Sequence, residues 1–182
     1  MRGDDEMADF YLVCGISGGG KTILSKRIIE DNPSIDIMLD VDKYYAKINN
    51  GDECNRNNTY TVWRTVFDDL HRFEAENKNV LITTNSLTVS QRRQFIEWFP
   101  KYKHHMLWVI APLDRCLEGN RIRIRHIPED ILKDQWSRME FPNAKEEGWD
   151  TIAHITNWWE EHYTILDMKG DIRSLITIKE RS

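Results

Sequence analysis

The sequence predicts an α/β domain built on a parallel sheet, and three observations carry that prediction. Apolar runs of strand length alternate with longer segments of helical periodicity along most of the chain. A glycine-rich turn, Gly15 to Thr22, joins the first such run to the first helical segment. Two aspartates, Asp40 and Asp42, stand where the second run ends, the edge at which open parallel sheets bind ligands. With 182 residues and 40% hydrophobic content, residues 10–182 have the size of one globular domain with a real core.

Taken in order, residues 1–9 are polar and acidic and read as a flexible tail outside the fold. Phe10 to Cys14 is the first strand. Gly15-Ile16-Ser17-Gly18-Gly19-Gly20-Lys21-Thr22 then has the G-x-x-x-x-G-K-T spacing of a Walker A phosphate loop, between a strand and a helix as that motif requires. Successive N–H groups can converge on one anion only where side chains do not block the approach, which is the reason for glycines here. The helix behind adds its positive end. Gly15, Ser17, Gly18, Gly19, Gly20, Lys21 and Thr22 are therefore expected to bind ATP, with Lys21 bridging the terminal phosphates and the Thr22 hydroxyl ligating Mg²⁺.

The first helix should stop near Asn32-Pro33, because the residue before proline is pushed out of the helical region. Ile35 to Leu39 is the second strand. From Asp42 to Asn58 the chain turns polar and reads as an irregular cover over a site. A helix follows from about Thr59 to Glu76, with Trp63, Val66, Phe67, Leu70 and Phe73 at helical spacing for a buried face. Val80 to Thr84 is the third strand, Val89 to Phe99 a helix halted by Pro100, and His105 to Ile110 the fourth strand, with His104 and His105 read as surface residues of a turn. Leu113 to Ile124 is expected as a helix. At its end Arg121, Arg123 and Arg125 recur at every second position, which on a helix is no single face, so this stretch is either a fraying end or an extended arm. Another helix starts after Pro128 and runs to about Glu140, and Ile152 to Ile155 is the fifth strand. Residues 158–182 are ambiguous, with Ser174 to Ile178 either a short helix end or an edge strand. The tryptophans at 63, 98, 108, 136 and 149 read as core rather than as platforms for stacking bases.

Composition narrows the function. Thirty acidic against 25 basic residues give a net charge of −5, which excludes a basic coat for nucleic acid and leaves only local contacts. Cys14, Cys54 and Cys116 show no paired spacing and read as reduced thiols. No run of about 18 apolar residues is present, so the expectation is a soluble, cytoplasmic protein without membrane contact.

Several stretches together resemble one family. They are the phosphate loop, the Asp-bearing second strand, Val80 to Leu87 with Gln91-Arg92-Arg93, Asn120-Arg121-Ile122-Arg123, Ile127 to Ile131, and Glu146-Glu147-Gly148-Trp149-Asp150. In these the chain is similar, over residues 10–157, to the P-loop kinases related to polynucleotide 5′-hydroxyl kinase. The resemblance implies a three-layer α/β/α fold, five parallel strands in the order 2-3-1-4-5, and a helical lid over about 117–140. It also implies transfer of the ATP γ-phosphate to a hydroxyl, with Asp42 as the base toward the acceptor and the lid residue Arg123, with Arg121, on the phosphates. Lys21, Asp42 and Arg123 are thus the expected catalytic residues, and Thr22 and Asp40 the expected Mg²⁺ ligands. The family pattern is broken at Thr83, where an acidic residue is usual, and at Tyr45 and Gly119, where arginines are common.

Each residue also has a plainer reading. Asp40 and Asp42 fit equally as helix caps, and the arginines as a solvated face. The acceptor implied by the resemblance is the 5′ end of DNA or RNA, which would need a basic entrance from Arg56, Arg64, Arg92, Arg93, Arg121 and Arg125. The competing readings are a small-molecule kinase and a nucleotide-binding module without transfer activity.

Overall fold

The computed structural model describes residues 7–52, 55–123, 126–156 and 164–179. Its elements are β1 (Asp9–Cys14), α1 (Lys21–Asp31), β2 (Ile37–Asp40), α2 (Val41–Ile48), α3 (Thr59–Ala75), β3 (Val80–Thr84), α4 (Val89–Trp98), β4 (Lys103–Ile110), α5 (Leu113–Arg121), α6 (Glu129–Ser137), β5 (Thr151–Thr156) and β6 (Thr164–Lys169), followed by a 3₁₀ turn at Ile172–Ser174. The sheet order is β2-β3-β1-β4-β5-β6. The first five strands pair in parallel, in the expected 2-3-1-4-5 order, and β6 adds an antiparallel edge that the sequence reading lacked.

Strand alternation explains the layers. In β1, Phe10, Leu12 and Cys14 face the side covered by α3 and α4, where they meet Val62, Val66, Leu70 and Phe95. Tyr11 and Val13 face the other side, against Leu24 and Ile28 of α1 and against Ile172 and Ile176. A sheet covered on both faces needs such doubly apolar strands, and β1 and β3 are buried along nearly their whole length. The C-terminal stretch is fastened by Asn32, whose side chain takes the Thr177 N–H at 2.7 Å and gives to the Thr177 carbonyl at 2.7 Å.

Three local expectations change. Ala8 and Asp9 are not a tail: Ala8 is buried, and the two residues are held by the side chains of Asn77 and Asn79 through their N–H groups. The polar stretch after Asp40 opens with α2, because Val41, Tyr44, Tyr45 and Ile48 recur at helical spacing and pack on the core. Nor are His104 and His105 surface residues, since both lie buried in β4. His105 stacks on Tyr11 and places Nε2 3.1 Å from a carboxylate oxygen of Asp9. The stretch Ser174 to Ile178 contributes the end of the 3₁₀ turn rather than a strand, and Trp158-Trp159 lie outside the described residues.

His104 supplies a pH signature. Burial pushes its pKa down to about 4, against the pull of Asp150. Its folded value lies below its ordinary one near 6.5, so the unfolded chain binds the extra proton first. Stability should fall by about 1.4 kcal/mol per pH unit from this residue as pH drops from about 6.5 toward 4. Thermal melts of wild type and His104→Phe over that range check it, and the variant should show the shallower decline.

Candidate active site

Everything at the C-terminal edge of the sheet drains into one cavity of about 1010 Å³. Its floor is the phosphate loop between β1 and α1, where Gly18 and Gly20 adopt φ of 80° and 81°. Gly20 is the left-handed N-cap of α1, a conformation that strains any residue with a Cβ. Ser17, Gly18, Gly19, Gly20, Lys21 and Thr22 line the cavity. Gly15 lies behind it, with its N–H bonded to the Asn85 carbonyl at 3.1 Å.

Lys21 is buried and donates from Nζ to the Ile16 carbonyl at 2.8 Å. Burial pushes its pKa down to about 8, with Arg123 adding to the effect and Asp42 opposing it. Thr83, where an acidic residue was expected, donates from its hydroxyl to Ser25 Oγ at 2.7 Å and ties β3 to α1. That bond is satisfied in the dry layer between sheet and helix.

The two aspartates separate into distinct roles. Asp40 is the N-cap of α2, accepting the Asp42 N–H at 3.2 Å, so the capping reading holds for it. It also lines the cavity, and burial followed by the nearby Asp42 charge raises its pKa. Asp42 reaches further out. Arg56 NH2 is 3.0 Å from its Oδ1, and Arg123 NH2 is 3.8 Å from its Oδ2. The Arg56 guanidinium in turn lies 3.9 Å over the Tyr45 ring. Tyr45 thus serves as the shelf for an arginine that comes from the loop before α3.

Among the described residues no cluster of three or more His, Cys, Asp or Glu could cage a metal alone. The donors at this spot, one buried carboxylate on Asp40 and one hydroxyl on Thr22, suit a hard ion that keeps most of its shell for phosphate oxygens and water. They fit Mg²⁺.

Other arginines fall differently from the sequence reading. Arg121 does not line this cavity; it pairs with Glu129 at 3.1 Å on the surface. Arg92 is fully buried, with Nε and NH2 on the Glu147 carboxylate at 2.8 and 2.6 Å and NH1 on the carbonyls of Leu87 and Glu140. Arg93 pairs with Glu97, Arg64 is outside the cavity lining, and Arg125 lies outside the described residues. Of the five arginines expected at a basic entrance that fall among the described residues, only Arg56 lines the cavity.

Sequence reasoning missed four contributors. Arg115 and Arg138 line the cavity, the first paired with Glu118 and the second with Asp134. Asn85 follows β3 at the ligand edge and hydrogen-bonds Ser17 Oγ at 3.2 Å; its place just past a strand end was the available signal. Gln135 of α6 accepts the Ser17 N–H at 3.0 Å, bringing α6 onto the phosphate loop. Nothing in the local sequence announces that contact.

Arg123 and Arg121 now give contrasting expectations. If Arg123 holds the transferring phosphate, as the resemblance implies, Arg123→Ala should lower phosphoryl transfer by about 10²-fold or more. Arg121→Ala, which loses one exposed ion pair, should change it less than about threefold. Rates of the two variants with unfolding midpoints alongside decide the matter.

A phosphate loop at the edge of a 2-3-1-4-5 parallel sheet matches the P-loop kinase fold. The chain belongs to the family described as an AAA domain, whose model matches residues 11–142. Among solved structures it is similar to an unliganded sugar kinase from Janibacter sp. HTCC2649, at 17% identity and TM-score 0.63, over 82% of this chain and 85% of that one. It is similar also to a gluconokinase from Sinorhizobium meliloti 1021, at 16% identity and TM-score 0.55, over 83% of each chain. A third likeness is to a chain of the Pnkp1/Rnl/Hen1 RNA repair complex, at 12% identity and TM-score 0.64, over 76% of this chain but only 46% of that longer one. Likeness at such identities speaks to the fold. No curated protein sequence matches the chain.

Proposed function

We propose that the protein transfers the γ-phosphate of ATP to a hydroxyl, with Asp42 as the base on the acceptor side. The observation that carries this reading is the Asp42 carboxylate in the same cavity as the phosphate loop, facing Arg123 at 3.8 Å. Loop N–H groups and Lys21 hold the phosphates. Thr22 and Asp40 would hold Mg²⁺, which neutralises phosphate charge when bound. The acceptor oxygen bonds to the γ-phosphorus while the bond from that phosphorus to the β–γ bridging oxygen breaks. ADP leaves with the bridging oxygen, and the hydroxyl proton passes to Asp42 late in a loose transition state.

Arg123 gains a second function in this scheme. Moving from Asp42 to the transferring phosphoryl group, it uncovers Oδ2 and places a two-pronged donor where negative charge spreads. Unpaired thiols at Cys14 and Cys116 support the cytoplasmic setting, and among the described residues no helix is long and apolar enough to cross a membrane.

The polynucleotide acceptor implied by the sequence resemblance needed a basic channel, and among the described residues Arg56 alone of its arginines supports one. Incubating the protein with γ-labelled ATP, Mg²⁺ and a panel of hydroxyl compounds, 5′-hydroxyl oligonucleotides included, tests the reading. Label on an acceptor, lost in Lys21→Ala, is the expected result; label on none of them discards it.

A further inference from the structure

The acceptor side of the cavity has its own chemistry. Trp63 and Phe67 stand one helical turn apart on α3, and Phe95 faces them from α4. Their ring centroids lie 5.5, 6.1 and 6.3 Å apart, so the three rings form one continuous aromatic wall that lines the cavity. Phe95 is buried in the core and stacks on Phe10, so Trp63 and Phe67 carry the exposed part of this wall. Val62, Val66 and Leu70 of α3 are fully buried beneath the sheet-facing side, whereas Trp63 and Phe67 keep part of their surface open.

Charge on this side is balanced. Asp42 and Arg56 hold each other, and Arg56 is capped by the Tyr45 ring. Around α4 the lining adds the Thr88 hydroxyl and the amides of Gln91 and Gln94, with Arg138 held by Asp134. Gln91 spends its Oε1 on the N–H groups of Leu87 and Thr88 in the cap of α4, which leaves its amide nitrogen as a donor. Each arginine on the lining, Arg56, Arg115, Arg123 and Arg138, stands beside a carboxylate, so a polyanion meets no uncompensated row of cations. A polyol would bring several hydroxyls against these rings, and each one left without a partner there is unfavourable. A flat ring suits the wall, since aromatic faces attract ring compounds regardless of their substituents.

Resting on the kinase reading above, we infer that the acceptor is a small, uncharged compound that carries an alcohol on a saturated arm of an aromatic or heteroaromatic ring. The ring lies on Trp63 and Phe67, with Phe95 behind them, and the hydroxyl points to Asp42.

Four probes separate the sources of such chemistry: thymidine, 4-nitrobenzyl alcohol, glucose and a 5′-hydroxyl oligothymidylate. Transfer from labelled ATP is measured for each, and calorimetric binding to the full chain is measured separately with a non-hydrolysable ATP analogue present. Thymidine or the benzylic alcohol should bind and be labelled, thymidine alone marking a nucleoside acceptor. Trp63→Leu, which keeps an apolar residue at the position, should raise the KM of that acceptor roughly tenfold or more while the KM for ATP stays within about twofold. Phe67→Leu should act in the same direction. Tighter binding of glucose or the oligonucleotide than of either ring compound overturns the inference, as does binding by none of the four. An acceptor KM unmoved by both substitutions overturns it too. Ring compounds that bind, and lose affinity in Trp63→Leu, but are never labelled would keep the inference and discard the kinase reading instead.

Discussion

Lys21→Ala should abolish phosphoryl transfer while leaving the fold in place. Lys21 opens α1 with its ammonium turned back over the phosphate loop, on the Ile16 carbonyl. It is the one cation of the loop itself, and burial has already driven its pKa down to about 8, so its charge is weakly compensated by solvent and strongly available to an anion. Alanine removes that charge from a water-poor site, where a phosphate–ammonium interaction is worth far more than on the surface. Helix formation does not suffer, because alanine is the best helix former and the side chain fills no hydrophobic gap. Turnover with labelled ATP should drop below detection with a melting temperature within a few degrees of wild type. Wild-type turnover in the variant would remove the phosphate loop from the mechanism.

Asp42→Asn should lower kcat by about 10²-fold or more, the range for a positioned base, with ATP affinity little changed. Asparagine keeps the shape and one acceptor oxygen but cannot take a proton. The matched control is Asp40→Asn. Asparagine caps a helix as well as aspartate does, so α2 should survive that change, and any loss of rate must come through the metal side of the site. Raising Mg²⁺ should then recover activity in Asp40→Asn and leave Asp42→Asn as slow as before. The reverse pattern would exchange the two roles.

Much of this architecture was written locally. The phosphate loop, β1 and β3 are set by contiguous residues whose spacing and apolarity admit one conformation, and Asp40 and Asp42 follow because a strand end fixes where its next residues emerge. Residues 41–48 show the limit of reading by polarity: Asp42, Lys43 and Lys47 made the segment look like a loop, while Val41, Tyr44, Tyr45 and Ile48 carried the helical stripe. What stayed hidden is what depends on partners distant in sequence. Arg92 looked like an entrance residue until Glu147, fifty-five positions away, was placed against it. Leaving either charge of that pair alone in the core would be costly, so the two residues are fixed by each other and not by a ligand. Arg56 is the opposite case, a residue named for a channel that instead braces Asp42 across fourteen positions. Edge strand β6 escaped because its exposed face alternates weakly and only Ile165 among its residues is buried.

The contact of Gly119 with Gly18 bears on how the site can open. A Cβ on Gly119 would lie 2.4 Å from the Gly18 carbonyl oxygen, and one on Gly18 would lie 2.2 Å from the Cys116 carbonyl oxygen. Backbone meets backbone there with no side chain between to slide or tilt, so α5 and the phosphate loop form one rigid block. Asn120 extends the block by clasping both backbone groups of Ile127, at 2.7 and 2.9 Å. Any movement that carries Arg123 from Asp42 to a phosphate can therefore leave α5 where it is. A side chain at position 119 would instead push that helix off the loop, which is why glycine fits there.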